Sequence, residues 1–169
     1  FNMGFMTAVP SQLDAVKYVS AVSQELEGGI LIGGHSKGGN LSVYSAVHCA
    51  DSVKDRLVRV YNNDGPGFSR KIIDTAEYAK VADRIKTIIP ESSVVGIMLE
   101  HEEKFTIVKS TQKGLLQHDG FSWEVLGTHF IVTEERTQYS EISDLALKTW
   151  INDMDTEERI LFVDTLFDI

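Results

Sequence analysis

Gly29-Ile30-Leu31-Ile32-Gly33-Gly34-His35-Ser36-Lys37-Gly38-Gly39-Asn40-Leu41 is the stretch whose reading decides the fold. Gly29 to Gly33 is short and continuously apolar, which predicts a strand buried on both faces. From Lys37 to Ala50 small and apolar residues predominate without a proline, which predicts a helix. Between the two stands Gly34-His35-Ser36-Lys37-Gly38, a Gly-x-Ser-x-Gly run at a strand-to-helix turn. Such a turn is a sharp elbow that lifts the serine hydroxyl above the sheet edge. Glycines flank it because side chains there would collide with the neighbouring strand and helix. The helix also aims backbone N–H groups and the positive end of its dipole at the same spot. Ser36 is therefore the candidate nucleophile, with Gly34, His35 and Gly38 completing the elbow and the Lys37 N–H as an oxyanion donor.

Two rivals for a strand, glycine loop and helix fail on spacing. A phosphate-binding loop ends in Gly-Lys-Ser or Gly-Lys-Thr, whereas Lys37 follows the serine. A dinucleotide fingerprint needs Gly-x-Gly-x-x-Gly, which Gly33-Gly34 and Gly38-Gly39 do not supply.

Outward from the elbow, helix and strand signals alternate, the pattern of a mostly parallel sheet covered by helices in an α/β fold. Pro10 opens a helix, and Leu13, Val16, Ala21 and Leu26 recur at helical spacing up to Gly28-Gly29. Leu57 to Tyr61 is the next strand, closed by Asn62-Asn63-Asp64-Gly65-Pro66-Gly67. A helix is expected over Arg70 to Val81, then a strand with Ile85, Thr87 and Ile89 on one face, ended by Pro90. Val94 to Glu100 and Phe105 to Lys109 are expected to form a strand pair, and Gly114 to Gly127 an irregular loop. Two helices near Ser140 to Asn152 and Thr156 to Phe167 close the chain, with capping-box spacing at Asp155 and Glu158.

A nucleophilic serine needs a base, and the base an orienting acid. Of five histidines, His35 lies inside the elbow and points away from the reacting side of Ser36, where it packs or hydrogen-bonds. His48 sits more than two turns along the next helix, His101 in an exposed charged turn, and His129 in an apolar stretch suited to a core or strand. His118, in the loop after the last long strand signal, occupies the place where the order serine, acid, histidine puts the base. For the acid, Asp64 and Glu91 both follow strands, and both stay open. Asp119 adjoins His118, but sequence neighbours seldom face each other as a pair.

Bulk properties narrow the class. The 169 residues suit a single domain over 1–169. At 43% hydrophobic and 24% charged, the composition is that of a soluble globular protein. A net charge of -9 argues against a nucleic-acid surface and against resting on an anionic membrane. No apolar run is long enough for stable insertion into a bilayer. The lone Cys49 allows no intrachain disulfide and no cysteine-based zinc cluster, and it suits a reducing cytoplasm. No metal or other cofactor is required, since the carboxylates are scattered. Phe1-Asn2-Met3-Gly4-Phe5-Met6 lacks an initiator Met and does not resemble a natural beginning. The chain is thus expected to be an N-terminally truncated piece of a longer protein, with any targeting segment upstream.

Three motifs in order carry a family resemblance: Gly33 to Leu41, Asn63-Asp64-Gly65-Pro66-Gly67-Phe68, and Gln117-His118-Asp119-Gly120-Phe121-Ser122-Trp123. Together they resemble the Mbeg1-like family of bacterial α/β-hydrolase-like proteins, over nearly the whole chain. More distantly, the elbow is similar to the Gly-His-Ser-x-Gly-Gly of class 3 lipases. The resemblance implies a three-layer α/β-hydrolase-like sheet, a Ser36–His118 pair and esterase or lipase-type chemistry; it supplies no substrate. It also implies an upstream strand carrying the second oxyanion donor. Its loss would leave the fragment weakly active, with a raw sheet edge open to self-association. Class 3 lipases carry an Asp after the strand that here ends at Pro90, where this chain has Glu91-Ser92-Ser93.

These readings converge on acyl transfer from a small ester or lipid-like substrate. Ser36 attacks, His118 takes its proton, and Asp64 or Glu91 holds the imidazole. Two alternatives are a degenerate hydrolase that binds a lipid or peptide without turnover, and an interaction domain docking through the acidic run Asp153 to Glu158.

Overall fold

A computed structural model describes residues 8–134, 136 and 158. Helix α1 (Pro10–Glu25) starts where Pro10 presets the first turn, and the Val9 N–H donates to Gln12 Oε1 at 3.0 Å. Strand β1 (Ile30–His35) leads through Ser36 into α2 (Lys37–His48), and a short α3 (Asp51–Lys54) precedes β2 (Leu57–Asn63). Two further short helices, α4 (Arg70–Ile73) and α5 (Ala76–Ala79), lead to β3 (Ile85–Pro90) and β4 (Phe105–Val108). Beyond them, β5 (Val125–Leu126) and β6 (His129–Phe130) form a small hairpin, and β7 (Val132–Thr133) returns to the main sheet.

The sheet has the order β1-β2-β3-β4-β7, parallel throughout except for the antiparallel β4–β7 pair. The fold is therefore α/β with a mostly parallel sheet. Its register lines up Ile32 with Val60 and Val60 with Ile85, so alternate residues of adjacent strands share one face. Against that face pack Val43, Tyr44, Ala46 and Val47 of α2, Ile73 of α4 and Tyr78 of α5. Val16 and Val19 of α1 close over them. The parallel arrangement brings the C-terminal ends of β1, β2 and β3 to one edge, where open α/β sheets place their ligands.

Three expectations about the strands and helices are corrected. Strand β1 is not buried on both faces: Ile30 and Ile32 are half-buried while Leu31 is 66% exposed. Among the described strands β1 pairs with β2 alone, and α2 covers one face of it. The helix expected over Arg70 to Val81 is broken in two, because Thr75 accepts the Tyr78 N–H at 3.2 Å and starts α5 afresh. Val94 to Glu100 forms no strand pair with Phe105 to Lys109. It belongs to the crossover that parallel β3 and β4 require, and touches strand geometry only in the Phe68–Glu100 bridge. The helices expected near Ser140 to Asn152 and Thr156 to Phe167 lie outside the described residues.

That crossover also buries His101, whose side chain is 6% exposed instead of lying in an open turn. His101 Nδ1–H donates to Glu103 Oε1 at 3.1 Å, Thr87 Oγ1–H donates to the same oxygen, and Tyr78 O–H donates to Oε2 at 2.9 Å. Burial pushes the Glu103 carboxyl up, but the hydrogen bond and charge of His101, with the Thr87 hydroxyl, outweigh it and hold the group at about 2. A carboxylate depressed from 4.5 stabilises the fold fully above pH 4.5 and loses that contribution as pH falls toward 2. By the usual conversion the contribution is about 3 kcal/mol. Glu103→Gln should therefore flatten the fall of the thermal midpoint across this acid window, as measured by circular dichroism; an unchanged slope would show that Glu103 is not the group responsible.

Candidate active site

The turn between β1 and α2 is strained at one residue. Ser36 has φ 56° and ψ -125°, a conformation L-residues adopt at a penalty of about 1–3 kcal/mol each. It is held there because its N–H donates to the Asn63 carbonyl at 2.9 Å while its carbonyl accepts from Gly39 and Asn40 at 2.9 and 3.3 Å. A Cβ at Gly34 would lie 2.3 Å from the Gly38 carbonyl carbon, so strand and helix approach this closely only with glycine there. Lys37 is the first residue of α2, where N–H groups point out along the positive end of the helix.

The end of β2 carries the acid candidate that the structure joins to His118. Asp64 is fully buried, at φ 51°, a region that Asp tolerates better than most residues. Its Oδ2 accepts from His118 Nδ1–H at 2.7 Å. Its Oδ1 accepts from Ser93 Oγ at 2.5 Å and from the Gly96 N–H at 3.1 Å. Gly96 is required for that approach, since a Cβ would stand 2.2 Å from Asp64 Oδ1. Glu91 follows β3 as expected, but its backbone N–H joins Val108 and its carboxylate has no part in this cluster. The loop after β3 thus hydrogen-bonds the acid candidate carried by β2.

His118 ends a 3₁₀ turn, Gly114–His118, and its loop is tied down on both sides. Trp123 Nε1–H donates to the Gln117 carbonyl at 2.8 Å, and Gln117 Oε1 accepts from the Ser92 N–H at 2.8 Å. His35 Nε2–H donates to the His118 carbonyl at 2.6 Å, with the two rings 4.6 Å apart. Ser36 follows His35 directly, so nucleophile and base candidates share one edge of the sheet. Ser36 Oγ makes no hydrogen bond among the described residues. Such bonds often tighten only when substrate is bound.

The other histidines stand apart. His48, at the end of α2, lies 4.2 Å from the Tyr44 ring, and burial first, then Lys54, lowers its pKa. His129 lies exposed on β6. Two buried asparagines escaped the sequence reading. Asn40 accepts from Gln12 Nε2 at 2.8 Å and donates to the carbonyls of Pro66 and Gly67, both at 3.0 Å. Asn62 Oδ1 accepts the Gly65 N–H at 3.0 Å. Together they brace the turn that carries Asp64. Their signal was a polar amide inside a run of small or apolar residues, which is tolerated in a core only when hydrogen-bonded.

Among the described residues no group of three His, Cys, Asp or Glu is placed to hold a metal ion. Nor is any described helix long and apolar enough to cross a membrane. The chain matches no curated protein. The Mbeg1-like family model, by contrast, matches residues 1–168. With almost every residue aligned to that model, the chain belongs to the Mbeg1-like family.

Proposed function

We propose that the protein is a serine hydrolase that cleaves carboxylic esters through an acyl-enzyme on Ser36. The observation that carries this reading is the 2.7 Å bond from His118 Nδ1–H to the buried Asp64, with the His118 carbonyl bonded to His35 of a strained serine elbow. With the proton held on Nδ1, His118 Nε2 keeps its lone pair. It takes the Ser36 Oγ proton as the oxygen attacks the ester carbonyl. Negative charge gathers on the carbonyl oxygen and is met by the Lys37 N–H at the start of α2. The imidazolium, stabilised by Asp64, returns its proton to the departing alcohol. Water then repeats the sequence and frees the acid.

The surroundings favour an apolar acyl group. Leu115 and Leu116 precede His118 and Phe121 follows it, and all three project into solvent. The free, buried thiol of Cys49 suits a cytoplasmic setting. A binding role without turnover draws its support from the Ser36 hydroxyl, which has no hydrogen-bond partner among the described residues.

A panel of short-chain esters assayed before and after stoichiometric fluorophosphonate treatment separates the two readings. Turnover lost in proportion to the reagent bound supports the hydrolase. No turnover of any ester, or turnover untouched by the reagent, overturns it.

A further inference from the structure

We infer that His35, the residue before the proposed nucleophile, is the positioning residue that holds His118 in register with Ser36 and Asp64. Its kinetic consequence rests on the hydrolase reading; its geometry does not. In the His118 loop Leu115, Leu116 and Phe121 are all exposed, and Trp123 is the buried apolar anchor, packed edge-on against Phe130. Polar contacts fix the part nearer His118. Trp123 and Ser92 secure Gln117, one residue too early to set the imidazole itself.

At His118 the backbone carbonyl accepts from His35 Nε2–H at 2.6 Å. A carbonyl has no proton to give, so His35 must be the donor. The donor stands at the end of β1, whose register with β2 runs through Gly34–Asn62 and His35–Asn63. The same strand end turns directly into Ser36. His35 therefore links the base to the nucleophile through a single residue of rigid backbone, while its ring lies 4.6 Å from the His118 ring and 6.4 Å from Trp123. The bond fixes His118 from the backbone side as Asp64 fixes it from the Nδ1 side. Release of either lets the imidazole drift, and a shift of about 1 Å in such a group lowers turnover about 10²-fold.

Two substitutions divide the donor from the ring. His35→Phe keeps an aromatic ring and removes the donor; His35→Gln keeps an amide donor and removes the ring. The expected result is a fall in kcat of about 10²-fold for His35→Phe with KM unchanged, and recovery of most of it in His35→Gln. The downfield proton resonance of His118 Nδ1–H, read by NMR in the full chain, should persist in His35→Gln and broaden or vanish in His35→Phe. If the phenylalanine variant does not fold, the exposed position allows His35→Ala as the donor-free variant, with the same expectation.

Wild-type kcat and an intact resonance in a donor-free variant would overturn the inference. So would a glutamine variant that falls as far as the phenylalanine one. If the wild type hydrolyses no ester, the hydrolase reading fails, and the resonance alone decides whether His35 clamps the base.

Discussion

Ser36→Ala should lower kcat for a short-chain ester about 10⁶-fold, the loss seen when the nucleophile of a cooperating serine site is removed. The size follows from the mechanism, since without Oγ no acyl-enzyme forms and His118 has no proton to take. Binding and the Lys37 N–H would still act on water attack, which leaves a small residual rate. The fold should be indifferent. Ser36 Oγ has no hydrogen bond among the described residues, and alanine carries the same backbone strain at φ 56°. Thermal midpoints of the two proteins should therefore coincide while their ester turnover separates. A variant that retained more than a trace of wild-type turnover would remove Ser36 from the chemistry.

Asp64→Asn carries the second largest effect, about 10⁴-fold in kcat, because it reverses the tautomer of the base. The amide oxygen would take over the bonds from Ser93 Oγ and the Gly96 N–H, the contacts that Asp64 Oδ1 accepts now. The amide nitrogen would then face His118 Nδ1 as a donor. His118 would answer by accepting at Nδ1 and carrying its proton on Nε2, where it cannot receive one from Ser36. Glu91→Gln is the matched control. Its carboxylate lies outside the cluster, so turnover should remain at the wild-type level. The opposite pattern, with Glu91→Gln impaired and Asp64→Asn active, would move the acid to the loop after β3.

The elbow was legible in the sequence because its constraint is local. Glycine at position 34 and a serine between strand and helix are demands of a few consecutive residues, visible without knowing what surrounds them. The order of α1, β1, α2, β2 and β3 was legible for the same reason, whereas the short α3 and the break between α4 and α5 were not. What failed depended on the sheet. An apolar run such as Ile30-Leu31-Ile32 signals a strand but not its place in the sheet, and the exposed Leu31 belongs to a strand covered by α2 on one face.

The choice between Asp64 and Glu91 was open for a similar reason. Both follow strands, and only the path of the loop after Pro90 brings Ser93 and Gly96 onto Asp64. His101 looked exposed among charged neighbours until the β3–β4 crossover folded it against Glu103 and Phe105. The contact from His35 to the His118 carbonyl spans 83 positions. No spacing rule reaches that far.

The central claim, that Ser36 is a nucleophile activated by His118, is tested most directly by mapping a covalent adduct. The intact chain is treated with a fluorophosphonate, digested, and its peptides sequenced by mass spectrometry. The account predicts one phosphonylated residue, Ser36, with modification lost in His118→Ala. A wild-type protein left unmodified, or an adduct on another residue such as Ser93, would contradict it.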